Sequence, residues 1–407
     1  MSDYNQYPGF SSDTRTLKKG QIFVALKGLE TNGYDYIQVA LDKGAALVVC
    51  EKCSIVDKRV FLVEDSHLEH RNIAHIMRNK YKAKIIGIVG SNGKTSTKEF
   101  LYSLLSSGFN CFKTEGSQNG FLGIPKTLEL LSAEMDYGII EIGIDDVGAM
   151  QKHIDLVNPD FLLLSSISEE HLENLVDIDT VAFEEFVAVH QVLNNDGVVF
   201  VPRADSVIKY YCSKFGLSNH ENLKQSNNNS YFFPATISPI LKQNCELAAS
   251  CAEYLGLDIK NINKVLEAVE APQGRGQLNK LNDDYWVLED HYNSNPASLN
   301  LAIEYAEILG KENHKELYFI IGDMNELGLQ SDSIHEEFYK KLMAKFSSHV
   351  VFIGPQFHKV SSEKDKTYQS VDLFIDDIQK HKKLWENAII LVKGSRGIEL
   401  EKLYSQL

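Results

Sequence analysis

The sequence predicts an α/β protein: three α/β domains in series, the central one a P-loop domain with a mainly parallel sheet and the last one Rossmann-like. Three observations carry this. Residues 85–89 form an apolar run that leads through Gly90-Ser91-Asn92-Gly93-Lys94-Thr95-Ser96 into a helix-favouring stretch. That is the order of a buried strand, a phosphate-cradling loop and a helix N-terminus. Strand and helix candidates then alternate from about residue 84, as they do when helices cover both faces of a parallel sheet. After the breaker-rich segment Ala271-Pro272-Gln273-Gly274-Arg275-Gly276 the alternation starts again.

Element by element, residues 1–80 read as a small α/β unit, with strands at 21–26 and 45–49 and a helix over 34–43. Residues 81–270 follow as the central domain. Its strands are predicted at 85–89, 137–142, 161–166 and 197–201, and its helices at 97–106, 178–193 and 240–255, with the polar run 226–230 a loop. Residues 271–407 form the third unit. Strands are predicted there at 285–289, 317–321, 350–353 and 388–392, and helices at 299–309, 334–346 and 373–381.

Composition bounds the function. The chain has 407 residues, of which 43% are hydrophobic and 24% charged, enough for several buried cores. A net charge of −15 argues against a nucleic-acid or anionic-membrane surface, so anionic substrates need local basic pockets. The N-terminus lacks a basic segment with an apolar run behind it, and no apolar run is long enough to span a bilayer. A cytoplasmic, monomeric protein acting on small molecules is expected. The six cysteines are scattered; Cys50 and Cys53 form a lone Cys-x-x-Cys with no second pair at zinc spacing, so free thiols are expected.

The phosphate loop is a variant. Strict Walker spacing asks for glycine five residues before Gly93, where Ile88 stands; the glycines fall at 87 and 90. Lys94 can reach the β- and γ-phosphates and the Thr95 hydroxyl can face Mg²⁺, so ATP or GTP is expected. Glu141 lies inside the apolar run 137–143, where a carboxylate is costly unless paired or metal-bound; an exposed strand end is the alternative. His171 sits among acids in Ser168-Glu169-Glu170-His171-Leu172-Glu173, a pattern that also suits a solvated surface residue. Asp290-His291-Tyr292-Asn293-Ser294-Asn295-Pro296 offers amide groups for a base edge and a carboxylate for a ribose, or simply an Asn-Pro helix start. Lys393-Gly394-Ser395-Arg396 puts two cations at a strand's C-terminal end, where α/β folds bind ligands. Gly322-Asp323-Met324-Asn325-Glu326-Leu327-Gly328 is a further strand-end loop. In the first unit Ser11-Ser12-Asp13-Thr14-Arg15 with Lys27-Gly28 could hold a nucleotide diphosphate.

Taken in order, these segments resemble the Mur ligase family, which builds peptidoglycan precursors by ATP-dependent amide bond formation. Gly123-Ile124-Pro125, Thr127-Leu128, Gly274-Arg275 and His335 extend the likeness over nearly the whole chain. The resemblance implies a UDP-binding first domain, a central ATPase domain and a third domain that closes over the nucleotide. It implies ATP and Mg²⁺ as cofactors and D-alanyl-D-alanine joined to UDP-N-acetylmuramoyl-tripeptide. Carried over by residue, Gly90, Asn92, Gly93, Lys94, Thr95, Ser96, Arg275, Asp290, Asn293 and Asn295 hold the nucleotide. Thr95, Glu141 and His171 hold metal, Lys94 with Glu141 and His171 serves catalysis, and Ser12, Asp13, Arg15, Lys27, Asn119, Lys393 and Arg396 meet substrate.

Three departures stand out. The family's carbamate-forming lysine falls some 14 residues after the histidine, and here that position is Glu185, with no lysine from His171 to Leu193. Glu185 or Glu184 is expected to supply a ready-made carboxylate as the catalytic metal ligand; the alternative is a weakened metal site. Only Asn119 remains of the family's asparagines in Thr114-Glu115-Gly116-Ser117-Gln118-Asn119-Gly120. Little precedes Ser12, so a strand and a helix of the usual first domain are expected to be missing. The departures leave two other readings open: a paralogous amide ligase for another acid and amine, and a degenerate Mur-like nucleotide-binding protein or P-loop switch.

Overall fold

The computed structural model describes residues 3–28, 31–227, 231–234, 237–281 and 285–406. Residues 228–230 of the polar run predicted as a loop fall outside them. Three sheets follow one another along the chain. The first holds β1 (Phe10–Ser11), β2 (Ile22–Val24), β3 (Leu47–Cys50) and β4 (Val60–Leu62), all parallel and in sequence order. The helix predicted over 34–43 divides into a 3-10 turn, Gly33–Tyr36, and an α-helix, Ile37–Asp42. Gly33 opens the 3-10 turn and packs against the Leu26 backbone so closely that a Cβ would lie 2.5 Å from the Leu26 carbonyl oxygen.

The second sheet contains β5 (Lys84–Val89), β6 (Cys111–Lys113), β7 (Tyr137–Glu141), β8 (Phe161–Leu164), β9 (Val198–Val201) and β10 (Leu223–Gln225). Its order is β10-β9-β8-β5-β7-β6 and every pairing is parallel. Strand order reverses around β5, and such a switch point opens a crevice at the strands' C-terminal ends. Residues of β5 alternate between two cores. Ile85 and Val89 join a cluster continuous with Ile22 and Val24 of the first sheet, while Ile86 and Ile88 pack under the helices Lys94–Leu105 and Pro239–Tyr254. Both faces are covered, so the strand reads as an unbroken apolar run.

The third sheet contains β11 (Gln277–Lys280), β12 (Tyr285–Asp290), β13 (Glu316–Gly322), β14 (Val350–Ile353), β15 (Thr367–Tyr368) and β16 (Ala388–Lys393). The order is β11-β12-β16-β13-β14-β15, parallel except for the edge strand β11. Register decides what meets at its working edge. Lys393 of β16 lies opposite Asp290 of β12 on one side and Ile321 of β13 on the other, so three strand-end loops emerge together. The Asn-Pro pair starts a helix, Pro296–Asn313, with Asn295 closing a capping box on Ser298. No helix among the described residues is long and apolar enough to cross a membrane.

Candidate functional site

The loop between β5 and the helix Lys94–Leu105 owes its shape to two glycines in the left-handed region, Gly90 at φ 116° and Gly93 at φ 86°. A Cβ on Gly90 would lie 2.6 Å from Ser165 Oγ, and one on Gly93 2.6 Å from Asn244 Oδ1. Gly93 is the N-cap, so the helix begins at Lys94, three residues before its predicted start. The loop is tied to the end of β8: Ser91 N donates to Ser166 O at 2.9 Å, Asn92 N to Ser166 Oγ at 2.8 Å, and Ser165 Oγ to Asn92 O at 2.7 Å. The free N–H groups of the first helical turn therefore face the crevice, as anion binding at a helix N-terminus requires.

Lys94 lies back over the loop, donating to the Gly90 carbonyl, with its ammonium 3.6 Å from Glu170. Burial opposes its charge, but Glu170, Glu185 and Glu141 together outweigh burial and hold its pKa above the ordinary value. Glu141 is buried at the end of β7, so the exposed-strand-end alternative falls away. Its Oε1 accepts from Thr95 Oγ1 at 3.1 Å and from Asn119 Nδ2 at 2.9 Å. Its Oε2 lies 3.3 Å from the ammonium of Lys98, which also donates to Gly116 O, and makes no hydrogen bond. Asn119 is thus a neighbour of the nucleotide side, bonded to the predicted metal ligand.

Glu184 and Glu185 separate cleanly. Glu184 caps the helix Ala149–Val157, accepting from Gly148 N at 2.8 Å and Met150 N at 3.3 Å. Glu185 is fully buried and neither of its oxygens has a hydrogen-bond partner. Burial pushes its pKa up to about 8, against the pull of Lys94 and with a further push from Glu170. One oxygen of Glu170 is likewise unpartnered, and Glu141 Oε2, without a hydrogen bond, keeps only its ion pair with Lys98. Hard oxygen donors left without partners in a buried site suit a divalent cation beside phosphate. Among the described residues, however, no three His, Cys, Asp or Glu side chains already converge on one metal-sized point. The predicted set of Thr95, Glu141, His171 and Glu185 therefore does not stand as one assembled shell: Thr95 and Glu141 touch, Glu185 is linked to Lys94 only by the attraction of their charges, and His171 turns to Glu326.

His171 meets the third sheet's loop, its Nδ1 2.8 Å from Glu326 Oε2. Glu326 O accepts from Glu173 N at 3.1 Å, and Leu172 packs in the same core as Leu327. Asp323 and His335 set this loop up: Asp323 accepts from Gln356 N and Phe357 N, and His335 Nε2 accepts from Met324 N. The Glu326 carboxylate raises the His171 pKa, and His171 in turn lowers that of Glu326. The histidine's stabilising contribution is complete below its ordinary 6.5 and is lost as pH rises through its raised folded value. Glu326 is half exposed, so the bridge is screened and contributes about 1 kcal/mol or less. The melting temperature of the ligand-free protein should accordingly carry a small component that falls as pH rises above 6.5, and H171Q should remove that component.

The rest of the roof comes from the third sheet. Arg275 Nη2 donates to Thr95 Oγ1 at 2.9 Å, and Asn295 Nδ2 to Asn92 Oδ1 at 3.1 Å. Asn295 is therefore both a helix cap and a contact of the phosphate loop. Lys393, buried, bridges Asp290 Oδ2 at 2.8 Å and Asn293 O at 3.0 Å. Between floor and roof lies a cavity of about 250 Å³, lined by residues 91–96, Asn119, Glu141, Glu170, His171, Arg275, Asp290, Asn293 and Lys393. Leu241, Leu288, Ala302 and Tyr305 add an apolar end suited to a flat base.

The first-unit residues do not reach this cavity. Ser12 Oγ donates to Glu129 Oε1 at 2.6 Å, and the same oxygen is 2.8 Å from Nε2 of buried His70. Asp13 and Arg15 pair with each other at the surface, and the Lys27 carbonyl bonds His67. Arg396 sits 5.3 Å from the Tyr292 ring. Sequence reading missed Lys98, Glu170, Asn244 and the apolar end. Lys98 alone carried a signal, being one helical turn beyond Lys94 on the same face.

Comparisons with known proteins agree along the chain. The Mur ligase family catalytic domain matches residues 7–87, the Mur ligase middle domain 88–289, and the Mur ligase glutamate ligase domain 274–396. The UDP-N-acetylmuramoyl-tripeptide–D-alanyl-D-alanine ligase of Rickettsia prowazekii is 30% identical, covering 96% of this chain and 93% of its own. The enzyme of the same name from Bacillus subtilis is 26% identical, covering 98% and 93%. Among solved structures, MurF from Acinetobacter baumannii superposes with a TM-score of 0.81 at 23% identity, covering 98% and 92%. MurF from Thermotoga maritima in complex with ADP gives 0.78 at 20% identity, covering 100% and 98%.

Proposed function

The chain belongs to the Mur ligase family, and from that premise we propose that it joins D-alanyl-D-alanine to UDP-N-acetylmuramoyl-tripeptide at the cost of ATP, as a monomeric cytoplasmic enzyme. In this reading residues 1–80 receive the UDP-linked substrate, 81–270 ATP, and 271–407 close over both. The observation that carries it is the phosphate loop with Lys94 set among buried carboxylates and roofed by Arg275, Asp290, Asn293 and Lys393.

The chemistry follows from the placement. A substrate carboxylate attacks the γ-phosphorus of ATP and ADP leaves; the amine then attacks the acyl phosphate and releases phosphate. The loop N–H groups and Lys94 balance negative charge on the transferring phosphoryl group, and preorganised donors of this kind cost no reorganisation during reaction. Arg275 and Asn295 carry the third unit onto Thr95 and Asn92, excluding water from the hydrolysable intermediate. Magnesium would supply charge neutralisation to the phosphates; the Thr95 hydroxyl and the Glu141 carboxylate, already in contact, and the unpartnered Glu185 carboxylate would hold it, with His171 joining only if it leaves Glu326. Glu185 takes this role rather than Glu184, whose carboxylate is committed to a helix cap.

One observation favours a second reading, a ligase of the same chemistry for another acid. The Ser12 hydroxyl is engaged by Glu129, which His70 also holds, and Asn119 by Glu141. Phosphate release separates the two. Stimulation of at least tenfold by UDP-N-acetylmuramoyl-tripeptide with D-alanyl-D-alanine, over ATP alone, and its loss on chelation of Mg²⁺, is the expected result. Turnover only with other acids or amines would transfer the proposal to the second reading.

A further inference from the structure

Tyr292 stands between the residues assigned to nucleotide and those assigned to substrate. Its ring lies 3.9 Å from the Arg275 guanidinium carbon and 5.3 Å from that of Arg396, so one aromatic face system gathers two cations from opposite ends of the third unit's sequence. Its hydroxyl bonds Ser117 Oγ, in the loop 114–120 of the central unit. Arg275 passes the contact on to Thr95 Oγ1, which itself donates to Glu141. An unbroken chain of contacts thus runs from Arg396 through Tyr292 and Arg275 to the first residues of the phosphate-loop helix.

A second observation comes from the space around it. Thr95, Arg275 and Tyr292 line the nucleotide cavity and also a separate cavity of about 630 Å³. That second cavity is walled by Phe100, Val265, Val269, Pro272 and Gly116. The Arg275–Tyr292 pair is the partition between the two. Among the described residues Arg275 meets no carboxylate that would fix its guanidinium on its own; the Tyr292 ring and the Thr95 hydroxyl hold it. A flexible arginine side chain held by a ring loses less freedom when a phosphate arrives.

We propose that Tyr292 is a positioning residue for this ligase, holding Arg275 toward the nucleotide phosphates and Arg396 toward the acceptor side of the partition. It acts through the two arginines and needs no contact with the reacting atoms. Removing the ring frees both guanidinium groups at once, whereas removing only the hydroxyl frees neither and breaks the Ser117 contact alone.

The nucleotide arm rests on ATP binding alone, and the Arg396 arm rests on the ligase reading above. Titration of the full chain with Mg²⁺ and a non-hydrolysable ATP analogue, with no acid or amine present, keeps the two apart. Y292L should weaken analogue binding roughly 3- to 30-fold, the range of a desolvated cation–π contact, and Y292F by less than about 3-fold. In an R275A background, Y292L should add less than about 2-fold, because its partner is already gone. Analogue affinity unchanged in Y292L, or a full loss that persists in R275A, would overturn the proposal; so would Y292F matching Y292L. In turnover, Y292L should raise KM for the amine as well as for ATP more than it lowers kcat, while Y292F restores both. If the wild type binds the analogue but does not turn over the cell-wall pair, the substrate reading fails while the titration still decides the role of Tyr292.

Discussion

Replacing Lys94 with methionine should lower phosphate release ~10²- to 10³-fold, the cost of removing one preorganised donor from developing charge. On the proposed reading Lys94 serves the β- and γ-phosphates, since the loop bends around it and it opens the helix whose N-terminus faces the cavity. The same substitution has a second effect that a loss of activity alone would not reveal. Glu170, Glu185 and Glu141 are the charges that keep Lys94 protonated. Without the ammonium they face one another in a site closed to water, and removing one partner of a buried ionic group costs roughly 3–5 kcal/mol. K94M should therefore melt below the wild type, and the gap should widen as pH rises and more of those carboxylates must ionise. Turnover within threefold of the wild type would remove Lys94 from the phosphate site.

Glu185→Gln should abolish Mg²⁺-dependent turnover, by ~10²-fold or more if the carboxylate holds the cation between the phosphates. Glu184→Gln should act on stability instead, by weakening the cap of the helix Ala149–Val157 by about 1 kcal/mol. The pH dependence of the ligand-free protein gives an independent check. Burial lifts the folded pKa of Glu185 from 4.5 to about 8. Between those values the folded protein holds a proton that the unfolded chain has already released, so the group's contribution falls as pH climbs from 4.5 and levels off above about 8. Glutamine never ionises. E185Q should thus gain on the wild type in melting temperature across that window, even as it loses activity, and Mg²⁺ should raise the wild type's melting temperature at pH 8 but not that of E185Q. A variant that keeps full turnover and the Mg²⁺ shift would return the site to Glu141 and His171 alone.

The fold was legible where the chain alternates regularly. Runs such as 85–89, 350–353 and 388–392 announce parallel strands covered on both faces, and all three stand as β5, β14 and β16. The short strands β1, β4, β6, β10, β11 and β15 escaped, because two to four residues carry too little periodicity to stand out from a loop. In the site, Gly90, Gly93 and Lys94 were readable because loop conformation constrains residue type. Leu241, Leu288, Ala302 and Tyr305 were not, since an apolar wall of a base pocket and an apolar core position look alike in sequence.

Residue type and spacing by themselves determined three α/β units, a phosphate loop before a helix, and an acid where the family places a modified lysine. Those are local properties: which backbone a glycine permits, which face a strand buries, which charge a position carries. Only the tertiary structure decided which of two adjacent glutamates faces Lys94, that His171 joins Glu326 rather than Glu141, and that Ser12 is engaged by Glu129. Glu184 and Glu185 differ by one position on one helix, about 100° around its axis, and what each side chain meets there is set by the elements packed against that helix. Long-range pairings of this kind join residues about ninety to a hundred and fifty positions apart, and no local pattern along the chain encodes them.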